Sequence, residues 1–179
     1  MVEKYWGTEV PFSDAIGIAP TTTLTVGQIA GVYAYQQIAV DVDVPTMTSW
    51  VNGSMLSLAS AIRNYALAEP LYISLTWNAT PNADNTAFTL SDFVIGVVFR
   101  ATGIVTADQV VNSMKIVPWF NDLYSTAGMG QGTAALETWL LTTSTSELNI
   151  PLIAGILIGG GALIGIVWYL TRRKRRGSE

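Results

Sequence analysis

The chain has 179 residues, of which 50% are hydrophobic and only 12% are charged. It contains no histidine and no cysteine, which excludes disulfides, thiolate nucleophiles, Ser-His-Asp catalysis and zinc sites built on those residues. Four basic and twelve acidic residues precede position 172, and an acidic body argues against nucleic-acid binding by the body itself.

Residues 1–31 show no clean period and contain several prolines and glycines, so the sequence predicts an extended N-terminal arm. Tyr5 and Trp6 are large apolar groups on this arm, and we expect them to contact a neighbouring subunit or an exposed sheet face. Residues 1–6 lack the basic start and apolar stretch of a signal peptide, so none is predicted there.

Residues 32–141 are predicted to form a folded body. Apolar residues alternate over 38–44, 71–77, 93–99 and 136–143, and each of these segments is predicted to be a strand. Apolar residues spaced by three and four predict a helix over 46–68. A second helix is predicted to begin at Thr106, because Thr106 and Gln109 fit a capping box.

The order strand, helix, strand, strand, helix, strand is typical of a ferredoxin-like α+β fold (βαββαβ), in which two helices cover one face of a four-stranded sheet. An all-β sandwich or jelly roll is the alternative. The long helical pattern over 46–68 argues against that alternative.

Candidate chemical groups are few. Asp41 and Asp43 share one face of a predicted strand, and a solvated strand face explains them better than acid/base work or a bound cation. The glycine-rich run at 128–132 resembles a phosphate loop in composition only, since it lacks the Lys-Ser/Thr ending. The sequence therefore predicts no catalytic residue, no metal, no cofactor and no small-molecule substrate.

Two segments match the glycosylation sequon, Asn52-Gly-Ser and Asn78-Ala-Thr. Asn78 is the more plausible acceptor because it is predicted to lie where a strand enters a loop. Asn52 falls inside the predicted helix.

A polar stalk is predicted at 142–147, a transmembrane helix at 148–170 and a basic tail at 171–179. Residues 152–170 are uncharged, and nineteen helical residues span roughly 28 Å, close to the ~30 Å hydrocarbon core of a bilayer. Trp168 and Tyr169 are predicted to anchor the interface, together with the basic run that follows them: Arg172, Arg173, Lys174, Arg175 and Arg176. This run is expected to stop transfer through the membrane, with anionic lipid or packaged nucleic acid as its partner.

The predicted membrane helix is rich in glycine. Gly155 with Gly159, and Gly161 with Gly165, form two small-xxx-small pairs that would let a second helix approach closely. The simpler interpretation is that glycine is common in membrane helices.

The strand–helix order, polar stalk, single membrane helix and basic tail together resemble SEA domains, which are small membrane-proximal extracellular modules. The resemblance covers residues 32–176 at the level of architecture. The Gly-Ser cleavage motif that SEA domains often carry is replaced here by Asn78-Ala-Thr-Pro-Asn82, so the resemblance does not imply self-cleavage.

These features favour a non-enzymatic, single-pass membrane protein that works by structure and interaction. Its body would pack with neighbouring subunits, as a homo- or hetero-oligomer, in a surface layer or in the shell of a membrane-containing virion. A small accessory subunit of a membrane enzyme complex is the alternative. The basic tail predicts a cytoplasmic or virion-interior C-terminus, with the body facing outward.

Overall fold

The computed structural model describes residues 1–129 and 136–143. Within these ranges the chain forms one antiparallel sheet of seven strands, with four helices. The strands are β1 (Val2–Gly7), β2 (Phe12–Ile18), β3 (Ile29–Gln36), β4 (Val40–Asp43), β5 (Ala68–Pro81), β6 (Ala87–Ala101) and β7 (Glu137–Thr143). The helices are α1 (Val44–Asn52), α2 (Met55–Tyr65), α3 (Ala107–Met114) and α4 (Pro118–Thr126).

The long antiparallel pair β5 and β6, of 14 and 15 residues, forms the centre of the sheet. The strand order is β1-β5-β6-β3-β7-β2. β4 pairs with β6 on the same side as β3, beyond a break at residues 37–39. β1 and β2 thus form opposite edges of the sheet, yet they are consecutive in the chain.

The link between β1 and β2, residues 8–11, forces the sheet to curl. Five strand spacings separate these edges, which is roughly 24 Å in a flat sheet. The five peptide steps from Gly7 to Phe12 reach only about 18 Å when fully extended. The two edges must therefore approach each other more closely than a flat sheet allows.

The helices pack on one face of the sheet and enclose the hydrophobic core. Alternate residues of β5 and β6 point into it, as the period of two requires. Their side chains are almost completely buried: Ile73, Leu75, Trp77, Phe93, Ile95, Val97 and Phe99. Residues from all four helices belong to the same buried cluster, so sheet and helices share a single core.

The helix starts follow from local polar residues. The backbone N–H of Thr46 donates to Oδ1 of Asp43 at 2.8 Å, so Asp43 caps α1. The capping box predicted at α3 is confirmed: the N–H of Gln109 donates to Oγ1 of Thr106 at 3.3 Å, and the N–H of Thr106 donates to Oε1 of Gln109 at 2.8 Å.

Lys4 is a charged residue on the helix-covered side of β1. Its Nζ donates to the carbonyl oxygens of Trp50 at 2.9 Å and Val51 at 2.8 Å, and also to that of Gly53. The ammonium group lies 4.7 Å from the ring centroid of Trp119. Lys4 therefore satisfies the carbonyls at the end of α1 and ties that helix to the edge of the sheet.

The predicted four-stranded ferredoxin-like fold is wrong. The sheet has seven strands, all paired antiparallel, and residues assigned to an extended arm supply β1, β2 and the first part of β3. Lys4 faces inward and a bulge interrupts β2, so neither strand shows a clean apolar alternation. The resemblance to SEA domains depended on the predicted order and fails with it, and the single sheet is not a sandwich either.

The predicted helix over 46–68 is in fact two helices, because the chain turns at Gly53 and Ser54. A Cβ at position 53 would come within 2.3 Å of the Trp119 ring, so only glycine fits beneath that indole. The apolar spacing continues across the turn because α1 and α2 both pack on the same core.

The chain divides into two units after Ser144, and every described residue belongs to the first. No helix in the described part of the chain is long and apolar enough to cross a membrane. The predicted membrane helix at 148–170 and the basic tail at 171–179 lie outside the described residues. The first two residues of the predicted stalk, Thr142 and Thr143, belong to β7.

Candidate functional site

The face of the sheet opposite the helices is its most distinctive surface, and we term it the helix-free face. Its residues alternate with core residues along the same strands. They include Glu3 and Tyr5 of β1, Tyr72, Ser74, Thr76 and Asn78 of β5, Val94, Gly96 and Val98 of β6, Gly31, Tyr33 and Tyr35 of β3, and Glu137, Trp139 and Leu141 of β7.

The centre of the helix-free face is lined by small residues. Ser74 and Gly96 pair across β5 and β6, and Tyr5 and Tyr33 flank them on the neighbouring strands. A Cβ at position 96 would come within 2.6 Å of Oγ of Ser74. The Ser74 side chain thus fills the space above Gly96. These two short residues form a shallow depression between the flanking tyrosines, which we term the trough.

Two positions further along the strands, the residues of the helix-free face that lie opposite one another include larger groups. Tyr72, Val98, Gly31 and Trp139 lie side by side across four strands. A Cβ at position 31 would touch Cδ1 of Leu141 at 3.4 Å, so the Leu141 side chain covers that glycine. This row gives the helix-free face an aromatic and aliphatic surface on one side of the trough.

Asp92 organises the polar end of the face. It accepts hydrogen bonds from the Tyr35 hydroxyl at 2.8 Å, from Nδ2 of Asn78 at 2.9 Å and from the Ser91 hydroxyl at 3.2 Å. These bonds hold the pKa of the Asp92 carboxyl below its ordinary value, with the Tyr35 bond as the main cause. Asp92 has a φ of +53°, at a register shift between β5 and β6. The carboxylate is thus fully engaged in positioning its neighbours.

Three tyrosines of the face have a raised pKa. Burial raises the pKa of Tyr33, and the nearby Glu137 adds to the effect. Burial is also the main cause that raises the pKa of Tyr72, and the nearby Glu9, Tyr5 and Glu3 raise it further. The hydrogen bond to Asp92 raises the pKa of Tyr35. Near neutral pH these hydroxyls can donate hydrogen bonds to a partner but cannot act as bases.

Two other carboxylates near the face, those of Glu69 and Asp41, also have partners. Glu69 forms an ion pair with Arg63, with Nη2 to Oε1 at 2.7 Å, and this bond lowers the pKa of Glu69. Asp41 accepts a hydrogen bond from the Thr89 hydroxyl at 2.7 Å. No group of three or more acidic residues within the described ranges could hold a metal ion.

Tyr5 and Trp6, the predicted contact residues, point to opposite faces of β1. Tyr5 lies on the helix-free face with 68% of its side chain exposed. Trp6 packs against the core, and its ring centroid lies 5.0 Å from Cζ of Arg63. Of this pair, Tyr5 is therefore the residue available to a partner.

Of the two sequon asparagines, Asn52 lies in a helix as predicted, and Asn78 lies within a strand and not at its end. Asn52 is the last residue of α1 and is exposed beside the turn into α2. Asn78 lies within β5 and is half-buried, with its amide donating to Asp92. A glycan on Asn78 would stand on the helix-free face and would cost that hydrogen bond.

Asp41 and Asp43 do not act as a pair. Asp41 accepts a hydrogen bond from Thr89, and Asp43 caps α1. The glycine-rich run at 128–132 lies partly outside the described residues. The glycines and basic residues assigned to the membrane helix and tail lie wholly outside them.

A second concave surface lies on the helical side, between α2 and the α3–α4 turn. It is an open groove of about 480 Å³ without a charged residue in its lining, which includes Leu56, Tyr65 and Ile116. It brings together no acid, base or nucleophile beyond serine and tyrosine hydroxyls, so it offers no catalytic arrangement.

No protein-family model, curated protein or solved structure matches this chain. The functional interpretation therefore depends on the surfaces described above.

Sequence reasoning missed most of the helix-free face. The signal was present in β5, where Tyr72, Ser74 and Thr76 alternate with core residues, and in Gly96 within an aliphatic run. Tyr33 and Trp139 join them only through strand pairings between residues far apart in the chain.

Proposed function

We propose that the protein is a non-enzymatic, single-pass membrane-anchored structural module that packs against neighbouring copies of itself through the helix-free face. Such packing would build a surface layer or the shell of a membrane-containing virion. The observation that carries this proposal is the sheet itself, which buries one face under four helices and presents tyrosines around a small-residue trough on the other.

The chemistry of the helix-free face supports contact. Tyrosine and tryptophan are enriched at protein interfaces because they combine a large apolar surface with a hydrogen-bonding group. Tyr5, Tyr33, Tyr72 and Trp139 surround the trough, where the short residues Ser74 and Gly96 pair. Asp92 is already satisfied by three donors, so covering it does not leave a buried carboxylate without hydrogen bonds.

The size of the face supports an assembly that needs the membrane. Roughly 20 Å by 20 Å of sheet gives about 400 Å² per copy, about half the area that a stable soluble complex buries on each partner. Confinement to one bilayer raises the effective concentration of neighbouring copies, so a contact that is weak in solution becomes sufficient. The glycine pairs of the predicted membrane helix would add a second contact between copies.

Photo-crosslinking of the full chain in membranes tests the proposal. A photo-reactive amino acid at position 5 should give an adduct of two copies of this chain. The same group at Leu56, which is 56% exposed on the helical side, serves as the control and should give much less. Adducts from position 5 that contain only a different protein would overturn self-packing and favour the accessory-subunit alternative. Equal yields from both positions would also overturn it.

The proposed orientation places the basic tail in the cytoplasm or the virion interior and the body outside. Five adjacent cations resist transfer through hydrocarbon, at roughly 2.5–3.5 kcal/mol each near the helix centre on insertion scales. Protease added to intact cells or particles should digest the body and spare an epitope placed after Glu179. Loss of the epitope while the body survives would invert the orientation.

A further inference from the structure

Three loops meet at one end of the sheet and carry its most exposed aliphatic side chains. Ile104 is 72% exposed, Val26 is 71% exposed and Leu67 is 60% exposed. No other valine, leucine or isoleucine in the described ranges is as exposed as these three. Single exposed aliphatic residues are common on soluble surfaces, but three at one end form a pattern that needs a cause.

Backbone hydrogen bonds fasten these loops together. The N–H groups of Thr102 and Gly103 donate to the Leu67 carbonyl at 2.9 and 3.2 Å. The N–H of Gly27 donates to the Ala101 carbonyl at 2.9 Å, which brings the Val26 loop to the same place. The three side chains therefore share one surface, which we term the apolar tip.

The apolar tip carries no charge in its loops. Residues 20–29, 66–68 and 101–107 contain no acidic or basic side chain. Leu67 also has a φ of +47°, a left-handed conformation that a branched side chain rarely adopts. Such backbone strain persists where the surrounding structure enforces it, and it often marks a functional position.

The chain leaves the described body at this same end. Leu141 of β7 pairs with Ile29, the first residue of β3, and Ile29 pairs with Arg100 near the end of β6. β7 runs antiparallel to β3 and ends at Thr143. The membrane helix is predicted to begin at Leu148, and the five peptide steps between these residues reach at most about 18 Å.

We propose that the apolar tip rests on the bilayer, with Val26, Leu67 and Ile104 in the interfacial region of the lipid. Exposed aliphatic groups on loops without charged residues gain free energy when lipid replaces water around them, in proportion to the apolar area covered. A three-point contact beside the chain exit would hold the body upright and orient the helix-free face sideways, toward neighbouring copies. The inference depends on the membrane anchor of the proposed function.

Spin labelling of the full chain in lipid vesicles tests the apolar tip. The chain has no cysteine, so each introduced cysteine carries the only nitroxide. The test variants are Val26→Cys, Leu67→Cys and Ile104→Cys. The matched control is Leu56→Cys, because Leu56 is 56% exposed but lies away from the apolar tip. Leu56 is near the start of α2, about 14 Å along the helix from Tyr65, the last residue of α2 and two residues before Leu67.

Labels at the tip should be shielded from a water-soluble nickel chelate and exposed to oxygen. Their oxygen-to-nickel accessibility ratio should be several-fold higher than that of the Leu56 label. Tip labels that match the Leu56 label would overturn the proposal. Low access to both reagents would also overturn it, since that result means that protein covers the tip.

A label at Leu157, in the middle of the predicted membrane helix, separates this failure from failure of the anchor. A lipid signal at Leu157 with a water signal at the tip would reject the apolar tip alone. A water signal at both sites would reject the anchor, and the tip proposal with it. Thermal unfolding followed by circular dichroism checks that each variant retains the fold.

Discussion

The helix-covered and helix-free faces are made by adjacent residues of the same strands, yet they have opposite physical characters. Along β6, Val97 is 1% exposed beneath the helices, whereas Val98 is half-buried on the other face. The covered face consists of packed aliphatic and aromatic groups, and the free face mixes tyrosines, hydroxyls, glycines and carboxylates with a few aliphatic groups. One face gives the fold its stability, and the other is the face that we propose packs against a neighbouring copy.

The largest expected difference between the faces comes from the neighbouring valines. Val97→Ala should lower the free energy of unfolding by about 1.5–3 kcal/mol, because it empties a closed part of the core. Val98→Ala removes the same atoms and should cost less than about 1 kcal/mol, because water or neighbouring side chains can fill the space. Denaturation of the full chain in mild detergent, followed by tryptophan fluorescence, measures both. Equal losses would mean that the helix-free face is also part of a core.

The edge strand gives a second comparison, between Lys4 on the covered side and Glu3 on the free side. Lys4→Met should cost about 1–2 kcal/mol, because three carbonyls at the end of α1 lose their donor. Glu3→Gln should stay within about 0.5 kcal/mol. The same denaturation experiment measures both changes. If Lys4→Met is as mild as Glu3→Gln, β1 is not tied to α1 in the way described.

The smallest expected effect concerns Asp92 on the free face. The pKa of the Asp92 carboxyl is lower in the folded chain than in the unfolded chain. The ionised carboxylate therefore stabilises the fold fully at a pH above its unfolded pKa, and this stabilisation is lost as the pH falls through its folded pKa. Solvent screening keeps that contribution well under about 1 kcal/mol. Asp92→Asn is the matched change because asparagine tolerates a positive φ.

Denaturation of the wild type and the Asp92→Asn variant should therefore differ near pH 6 and converge near pH 2. A difference that grows as the pH falls would contradict the assigned sign.

The central strands and the start of α3 were predictable because their signals are local. The alternation over 71–77 and 93–99 corresponds to β5 and β6, and the capping box at Thr106 is present. The edges were not predictable, because the inward Lys4 breaks the apolar pattern of β1 and its carbonyl partners lie 46 to 49 residues away. The helix-free face likewise depends on pairings such as Tyr33 with Gly96 and Glu137, which no local pattern encodes.

Hydroxyl-radical footprinting of Tyr5 and Tyr65 tests most directly whether a second copy covers the helix-free face. The two tyrosines are 68% and 64% exposed, on the free and helical sides respectively. Self-packing predicts that oxidation of Tyr5 falls several-fold between single copies in lipid nanodiscs and membranes dense with the protein, while oxidation of Tyr65 stays the same. Equal oxidation of Tyr5 in the two preparations, or an equal fall at both tyrosines, would contradict it.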